Sequence, residues 1–142
     1  MSDSIKSLLA TGTKLWLDSV DLELVSRERA LGATGATSNP IIISDLIASG
    51  RFDAQLEVLV SQGLDDAEIA WRLTDQLVSN AEAEFLPVWE QTGGDDGYVS
   101  FEVDPLLELP DPSVDHPRRV EQYVKLARHW SAGHPNRMIK IL

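Results

Sequence analysis

One lysine near the end of the chain has neighbours that could turn its amine into a nucleophile. Lys140 stands inside the apolar run MIKIL, residues 138–142. A charged ammonium group is costly to bury among such neighbours. Two interpretations stay open: the side chain extends past its neighbours to solvent, or burial favours the neutral amine. A neutral lysine amine forms Schiff bases with carbonyl compounds, so the second interpretation predicts covalent catalysis.

Three more polar residues stand at or near the ends of short runs with strand character. Asp18 follows the run LWL, Asn39 follows the run GATGATS, and Glu102 lies within YVSFEV. Glu102 could pass protons to or from Lys140 if their strands are neighbours. For a lone Asp or Asn, the simpler interpretation is a strand-terminal side chain that faces water.

The elements that must position these residues alternate between short β-prone runs and amphipathic helical stretches. Side chains alternate along a strand, so Ser100 shares a face with Glu102, and Met138 with Lys140. The alternation predicts an α/β fold with a parallel sheet, whose carboxyl ends gather functional groups. The predicted strands cover residues 15–17, 32–37, 98–103 and 138–142; the predicted helices cover 4–10, 21–30, 41–48, 52–61, a stretch from a cap at Asp65 or Asp66 to residue 88, and one from a cap at Asp115 to residue 130.

Several conspicuous residues indicate structural rather than ligand-binding roles. The glycine-rich stretch 93–97 predicts a loop, but it lacks the lysine and helix start of a phosphate-binding loop. The three histidines, His116, His129 and His134, lack metal-ligand spacing, so loop or surface roles are expected. Pro87 is expected to kink or shorten the fifth helix near its end.

Composition limits the class of protein. The chain has 142 residues, of which 43% are apolar and 25% charged, as in an ordinary folded domain. Its net charge of −11 makes nucleic acid and anionic membranes unfavourable partners. The absence of cysteine excludes disulfides, thiolate catalysis and thiolate zinc sites. The sequence shows neither a signal peptide nor a long apolar run, so the expected location is the cytoplasm.

Four segments together make the chain resemble the transaldolases. They are LWLDS at 15–19, TSNP at 37–40, VSFEVDP at 99–105 and MIKI at 138–141. They occur in the family's order, and the resemblance covers essentially the whole chain. No single segment is decisive, but four in order are a strong signal.

The resemblance implies a fold, a reaction and a class of substrate. The fold would be a (β/α)8 TIM barrel, of which residues 1–142 form one partial domain with only about the first four βα units. The reaction would move a dihydroxyacetone unit from sedoheptulose 7-phosphate to glyceraldehyde 3-phosphate, in the pentose phosphate pathway. Its products would be erythrose 4-phosphate and fructose 6-phosphate. The substrates would be sugar phosphates, and neither a metal nor an organic cofactor would be needed.

The resemblance also implies a role for each of the four polar residues. Lys140 would form the Schiff base with the donor's ketone. Glu102 would relay protons through a water during formation and loss of the carbinolamine. Asp18 would take the proton from the donor hydroxyl that starts cleavage, and later return one. Asn39 would hold donor hydroxyls by hydrogen bonds.

The length conflicts with a closed barrel, which typically needs about 250 residues. Half a barrel would leave two strand edges unpaired and expose an apolar inner face. The half could pair with itself, pair with a separate second half, or be a truncated product that needs the missing half for activity. The truncated product is expected, because the cut falls inside a predicted strand. Two alternatives stay open: a related Schiff-base aldolase, and a non-catalytic half barrel that binds or oligomerises.

Overall fold

Four parallel strands form the centre of the protein. The computed structural model describes residues 3–110 and 114–141. The strands lie in the order β1-β2-β3-β4, and every neighbouring pair is parallel. They are β1 (Trp16–Leu17), β2 (Gly35–Ala36), β3 (Val99–Glu102) and β4 (Arg137–Lys140).

Helix α1 precedes the first strand, and the other helices lie between the strands in chain order. Crossovers between adjacent parallel strands are right-handed, so the helices of these crossovers, α2 to α6, cover the same face of the sheet. This arrangement confirms the predicted α/β class and the partial barrel of about four βα units. The helices are α1 (Asp3–Ala10), α2 (Leu22–Ala30), α3 (Pro40–Ala48), α4 (Asp53–Ser61), α5 (Asp66–Gln91) and α6 (His116–Ser131).

Capping side chains explain where several helices begin. Asp21 accepts a hydrogen bond from the Glu23 amide at the start of α2. Asp65 and Glu68 form a reciprocal capping box at the start of α5. Asp115 accepts from a backbone amide of α6. Each cap satisfies a backbone donor that has no partner within the helix, so the local sequence fixes these boundaries.

The structure corrects several boundary predictions. Strand β2 covers only Gly35–Ala36 rather than 32–37. Helix α5 passes Pro87 and ends at Gln91, beyond the predicted end at residue 88. The predicted loop after β3 contains a 3-10 helix, Pro105–Glu108, which Pro105 begins because its fixed φ suits a first turn. Strand β4 starts one residue before the predicted run, at Arg137. Leu142, at the end of that run, and residues 111–113 of the predicted loop lie outside the described residues.

The hydrophobic core lies between the sheet and its helices. Phe101 of β3 is fully buried, with its ring centroid 4.9 Å from that of Trp130 and 6.0 Å from that of Trp71. Fully burying a side chain of this size stabilises the fold by about 1.5–3 kcal/mol. Helix α5 contributes the largest share of the core, with five fully or nearly fully buried apolar residues, Leu73, Leu77, Val78, Ala81 and Phe85.

The face of the sheet opposite the helices is mixed rather than the expected apolar patch. Ser100 and Glu102 alternate with Phe101, so they point to this face. Both are buried, whereas Met138 on the neighbouring strand is 41% exposed. Polar side chains at alternate positions of β3 therefore lie on the face opposite the helices, where a ligand could bind. In residues 3–110 and 114–141, no helix is both long and apolar enough to cross a bilayer.

Candidate active site

The pairing of β3 with β4 brings the predicted lysine and glutamate together. Glu102 is the register partner of Lys140, and the Val103 amide donates to the Lys140 carbonyl at 3.1 Å. Register partners on parallel strands point to the same face, so both side chains lie opposite the helices. The Lys140 Nζ and Glu102 Oε2 atoms are 2.5 Å apart.

The two partners differ in their exposure to solvent. The Glu102 side chain is 4% exposed, whereas that of Lys140 is 40% exposed. The lysine is therefore half-buried, and its ammonium group faces a carboxylate instead of lying among apolar neighbours alone. Among the described residues, Glu102 Oε2 has this ion pair but no aligned hydrogen bond. Its lone pairs therefore remain available to receive a proton.

This geometry suits proton exchange at an amine. A lysine amine attacks a carbonyl carbon only after its ammonium form has lost a proton. A general base must lie within about 3.2 Å of the proton-bearing atom, or reach it through one water. The Glu102 carboxylate meets the distance requirement, so the pair can generate a nucleophilic amine and later return the proton.

Asn39 lies between β2 and α3, next to the groove that Glu102 also lines. Its Oδ1 accepts from the Ile42 amide at 2.9 Å, as the N-cap of α3. That bond occupies the carbonyl oxygen and leaves the side-chain amide to donate. Asn39 and Glu102 both line an open groove of about 610 Å³ between α3, α5 and the segment after β3. The described lining of this groove does not include Lys140 or Asp18.

The groove is mainly apolar, although Glu102 forms part of its wall. Apolar residues of three elements line it, among them Ile43, Ile47, Trp71 and Leu106. Its position shows that Glu102 is reached from two sides, by the lysine on one side and by the groove on the other. The contact with Lys140, and not the groove, gives Glu102 access to the amine proton.

Asp18 lies at the other edge of the sheet, directly after β1. It is exposed, and the Thr37 hydroxyl donates to its Oδ1 at 2.8 Å. Three strand spacings separate β1 from β4, which is about 14 Å along a flat sheet. Asp18 and Lys140 thus lie at opposite edges of the same face of the sheet, too far apart for direct contact.

Two supporting hydroxyl contacts escaped the sequence analysis. Thr37 orients Asp18, and Ser38 bonds twice to Ser100 of β3. The Ser38 amide donates to Ser100 Oγ at 3.1 Å, and Ser38 Oγ donates to the Ser100 carbonyl at 2.7 Å. The only signal in the sequence was a run of small hydroxyl residues before Asn39. Their partners lie far away in the chain, where local periodicity carries no information.

Comparisons with known proteins show that the chain is similar to transaldolases. The profile of the family described as Transaldolase/Fructose-6-phosphate aldolase matches residues 15–141. The chain is 33% identical to the transaldolase of Parafrankia sp. (strain EAN1pec), 32% identical to transaldolase 2 of Streptomyces coelicolor, and 33% identical to the transaldolase of Thermobifida fusca. Each match covers 99% of this chain but only 38% of the relative's length.

Proposed function

Because the chain belongs to the transaldolase/fructose-6-phosphate aldolase family, we propose that it carries the Schiff-base chemistry of a transaldolase. The proposed reaction moves a dihydroxyacetone unit from sedoheptulose 7-phosphate to glyceraldehyde 3-phosphate, giving erythrose 4-phosphate and fructose 6-phosphate. Its proposed setting is the pentose phosphate pathway of the cytoplasm. The observation that carries the proposal is the Glu102 carboxylate 2.5 Å from the Lys140 ammonium on the ligand-facing side of the sheet.

The proposed first half of the reaction uses Lys140 and Glu102. Glu102 takes a proton from the ammonium group, and the neutral amine forms a carbon–nitrogen bond with the donor's ketone carbon. The ketone oxygen takes up two protons, the one that Glu102 accepted and one that the attacking nitrogen gives up, and it leaves as water, which gives an iminium on Lys140. Glu102 is the group within reach that can move these protons.

The proposed second half is cleavage and transfer. Asp18 removes the proton from a donor hydroxyl, the adjacent carbon–carbon bond breaks, and its electron pair moves to the iminium nitrogen. An aldehyde leaves, and the three-carbon unit stays on Lys140 as an enamine. The same steps in reverse join this unit to the acceptor aldehyde. Asn39 holds donor hydroxyls through its side-chain amide.

The proposed substrates are sugar phosphates, and the chain covers about two-fifths of its relatives' length. We assign proton exchange and imine formation to residues of this chain. We propose that complete transfer also uses further strands, supplied by a second copy or by a second half barrel. Two copies of a four-stranded parallel sheet would provide the eight strands of a closed barrel.

The test is transfer between authentic sugar phosphates. The 142-residue chain is incubated with fructose 6-phosphate and erythrose 4-phosphate, and sedoheptulose 7-phosphate is measured. Product that disappears in Lys140→Met supports transaldolase activity. Release of free dihydroxyacetone without transfer would instead indicate an aldolase. A folded chain that neither transfers nor cleaves would contradict autonomous catalysis and favour the non-catalytic half barrel.

A further inference from the structure

A buried cluster of charged and polar side chains ties β4 to α5 on the helical side of the sheet. Glu82 of α5 lies at its centre, and it contacts three residues in and before β4, His134, Asn136 and Arg137. We call these four residues the β4 clamp. We infer that the clamp sets the position of Lys140 against Glu102, so that Glu82 and Arg137 are positioning residues for the site on the opposite face.

Every N–H donor of the Arg137 side chain has a hydrogen-bond acceptor. Its side chain is 0% exposed. Nε donates to Glu82 Oε1 at 2.5 Å, and Nη2 donates to Glu82 Oε2 at 3.2 Å. Nη1 donates to Asp75 Oδ1 and to the Trp130 carbonyl, both at 2.7 Å, and Nη2 also donates to Ser79 Oγ at 3.0 Å. A guanidinium group with all five N–H donors occupied has a single preferred position.

The residues before Arg137 are attached to the same point on α5. His134 Nδ1 lies 2.7 Å from Glu82 Oε2. The Asn136 side-chain amide donates to the Glu82 carbonyl at 2.9 Å and to the Gly97 carbonyl at 3.0 Å. The approach to β4 is therefore fixed both to α5 and to the residues that lead into β3. His134 lies in the loop before β4, as expected, but it is not a free surface residue, because its half-buried ring contacts the buried carboxylate of Glu82.

The register of the sheet transmits this fixed position to the site. Arg137 pairs with Val99, and three residues further along Lys140 pairs with Glu102. The two β4 side chains lie on opposite faces, since three residues separate them. A shift of β4 by one residue would turn Lys140 toward the helices and away from Glu102. Fixing the position of Arg137 along β4 therefore keeps Lys140 on the face opposite the helices, next to Glu102.

A role in positioning also accounts for the cost of the clamp. A buried ion pair loses hydration that its attraction only partly restores, and apolar side chains of similar size often stabilise as well or better. Apolar contacts around Ile139 tolerate small displacements along the strand, whereas a forked pair to Glu82 does not. The clamp thus supplies what an apolar substitute would lack, which is a unique register.

The test removes both charges of the clamp and measures register and chemistry separately. The variant is Glu82→Leu with Arg137→Met, which replaces the pair by apolar side chains. The matched control is Arg29→Met with Glu84→Leu, because that pair, at 3.0 Å, joins α5 to α2 and not to β4. Arg137→Lys serves as a second clamp variant if the double variant does not fold, since it keeps the charge and loses the fork.

Register is measured by amide hydrogen exchange at two sites in the sheet. The Val103 amide donates to the Lys140 carbonyl, and the Ala36 amide donates to the Tyr98 carbonyl, which makes Ala36 a reference within the same sheet. The clamp variant is expected to speed exchange at Val103 by about tenfold relative to Ala36, since local opening no longer breaks the clamp. The control variant is expected to leave this ratio unchanged. An unchanged ratio in a folded clamp variant would overturn the inference.

The chemical readout rests on the proposed function, and it is the rate of adduct formation with fructose 6-phosphate and borohydride. We expect the maximal rate to fall about tenfold with little change in the half-saturating sugar concentration, as for a misplaced reacting group. An unchanged maximal rate in the folded variant would also count against positioning. If the unsubstituted chain forms no adduct, the proposed function fails, and the exchange ratio still decides the inference.

Discussion

At Lys140, the proposed reaction depends on which group accepts the ammonium proton. Lysine alone would give a charged, unreactive group, and the apolar sequence around it suggested that burial could favour the neutral form. In the structure the side chain is half-exposed and paired with Glu102. We propose that this carboxylate makes the amine reactive, because it is a proton acceptor in contact with the amine.

Glu102→Gln tests this role. The amide is close in shape but cannot take a proton, so we expect imine formation to slow by about 10²–10⁴-fold. The measurement is the rate of the borohydride-trapped adduct. Glu57→Gln, on the exposed surface of α4, is the matched control and should trap at the original rate. Equal rates in Glu102→Gln and the unsubstituted chain would contradict the relay.

Asp18 is assigned to a later step, and its separation from Lys140 makes this testable. Asp18→Asn keeps an oxygen for the Thr37 hydroxyl but cannot accept a proton. Imine trapping should therefore persist, whereas release of glyceraldehyde 3-phosphate from fructose 6-phosphate should fall by about 10²–10⁴-fold. If Asp18→Asn abolished both imine trapping and cleavage, Asp18 would act earlier than proposed.

At the scale of elements, strands β1 to β3 depend on close backbone approach at one glycine. A Cβ atom added at Gly35 would lie 2.5 Å from the Tyr98 carbonyl oxygen and 2.9 Å from the Trp16 indole. Both distances are shorter than real contacts. The first three strands therefore fit together only if β2 has no side chain at this point.

Gly35→Ala should accordingly destabilise the protein by about 1–3 kcal/mol, as overpacking does elsewhere. The free energy of unfolding is measured in urea. In a Trp16→Leu background the loss should be smaller, because one of the two clashes is removed. An alanine variant as stable as the original chain would show that the strands are not held this closely.

Helix α2 is attached to the α3–α4 connection by two ion pairs of Arg51, a close one with Asp21 and a looser one with Glu23 at 3.7 Å. Arg51 Nη2 lies 2.6 Å from Asp21 Oδ2, and this guanidinium, with the Glu23 amide, holds the pKa of Asp21 below its ordinary value of 3.8. A lowered pKa in the folded state stabilises the fold above the ordinary pKa. That contribution is lost as pH falls through the lowered value.

Asp21→Asn isolates this charge, because asparagine caps helices about as well as aspartate. Arg51 is more than one-third exposed, so the expected loss is only about 0.2–1 kcal/mol near pH 6. The difference should shrink as the pH falls below the ordinary pKa of Asp21 and through its lowered pKa. Urea unfolding near pH 6 and over a series of acidic pH values measures it, with the exposed Asp45→Asn as control. A deficit that grows on acidification would contradict the assignment.

Local sequence predicted most elements but few of the contacts between them. The caps at Asp65 and Asp115 and the strand around Glu102 follow from residue type and spacing over a few positions. The pairing of Glu102 with a neighbouring strand that carries Lys140 follows from alternation. Contacts such as Glu82 with Arg137, 55 residues apart, lie beyond the range of any periodicity.

At the scale of the whole molecule, four parallel strands give a sheet with one covered and one open face. The covered face holds the core, and the opposite face carries Glu102 and Lys140, with Asp18 at the far edge of the sheet. This is the distribution that a barrel enzyme uses, with stability built on one side and chemistry at one end. We propose that residues 1–142 fold as one domain, with the clamp joining its two sides at β4.

The most direct test of the central claim is covalent capture by the chain itself. Fructose 6-phosphate and borohydride are added to the 142-residue protein, folding is checked by circular dichroism, and the modified peptide is identified by mass spectrometry. We predict one adduct, on Lys140, which is absent in Lys140→Met. A folded chain without an adduct, or an adduct on Lys6, Lys14 or Lys125 that persists in Lys140→Met, would contradict the assignment of Lys140 as the Schiff-base lysine.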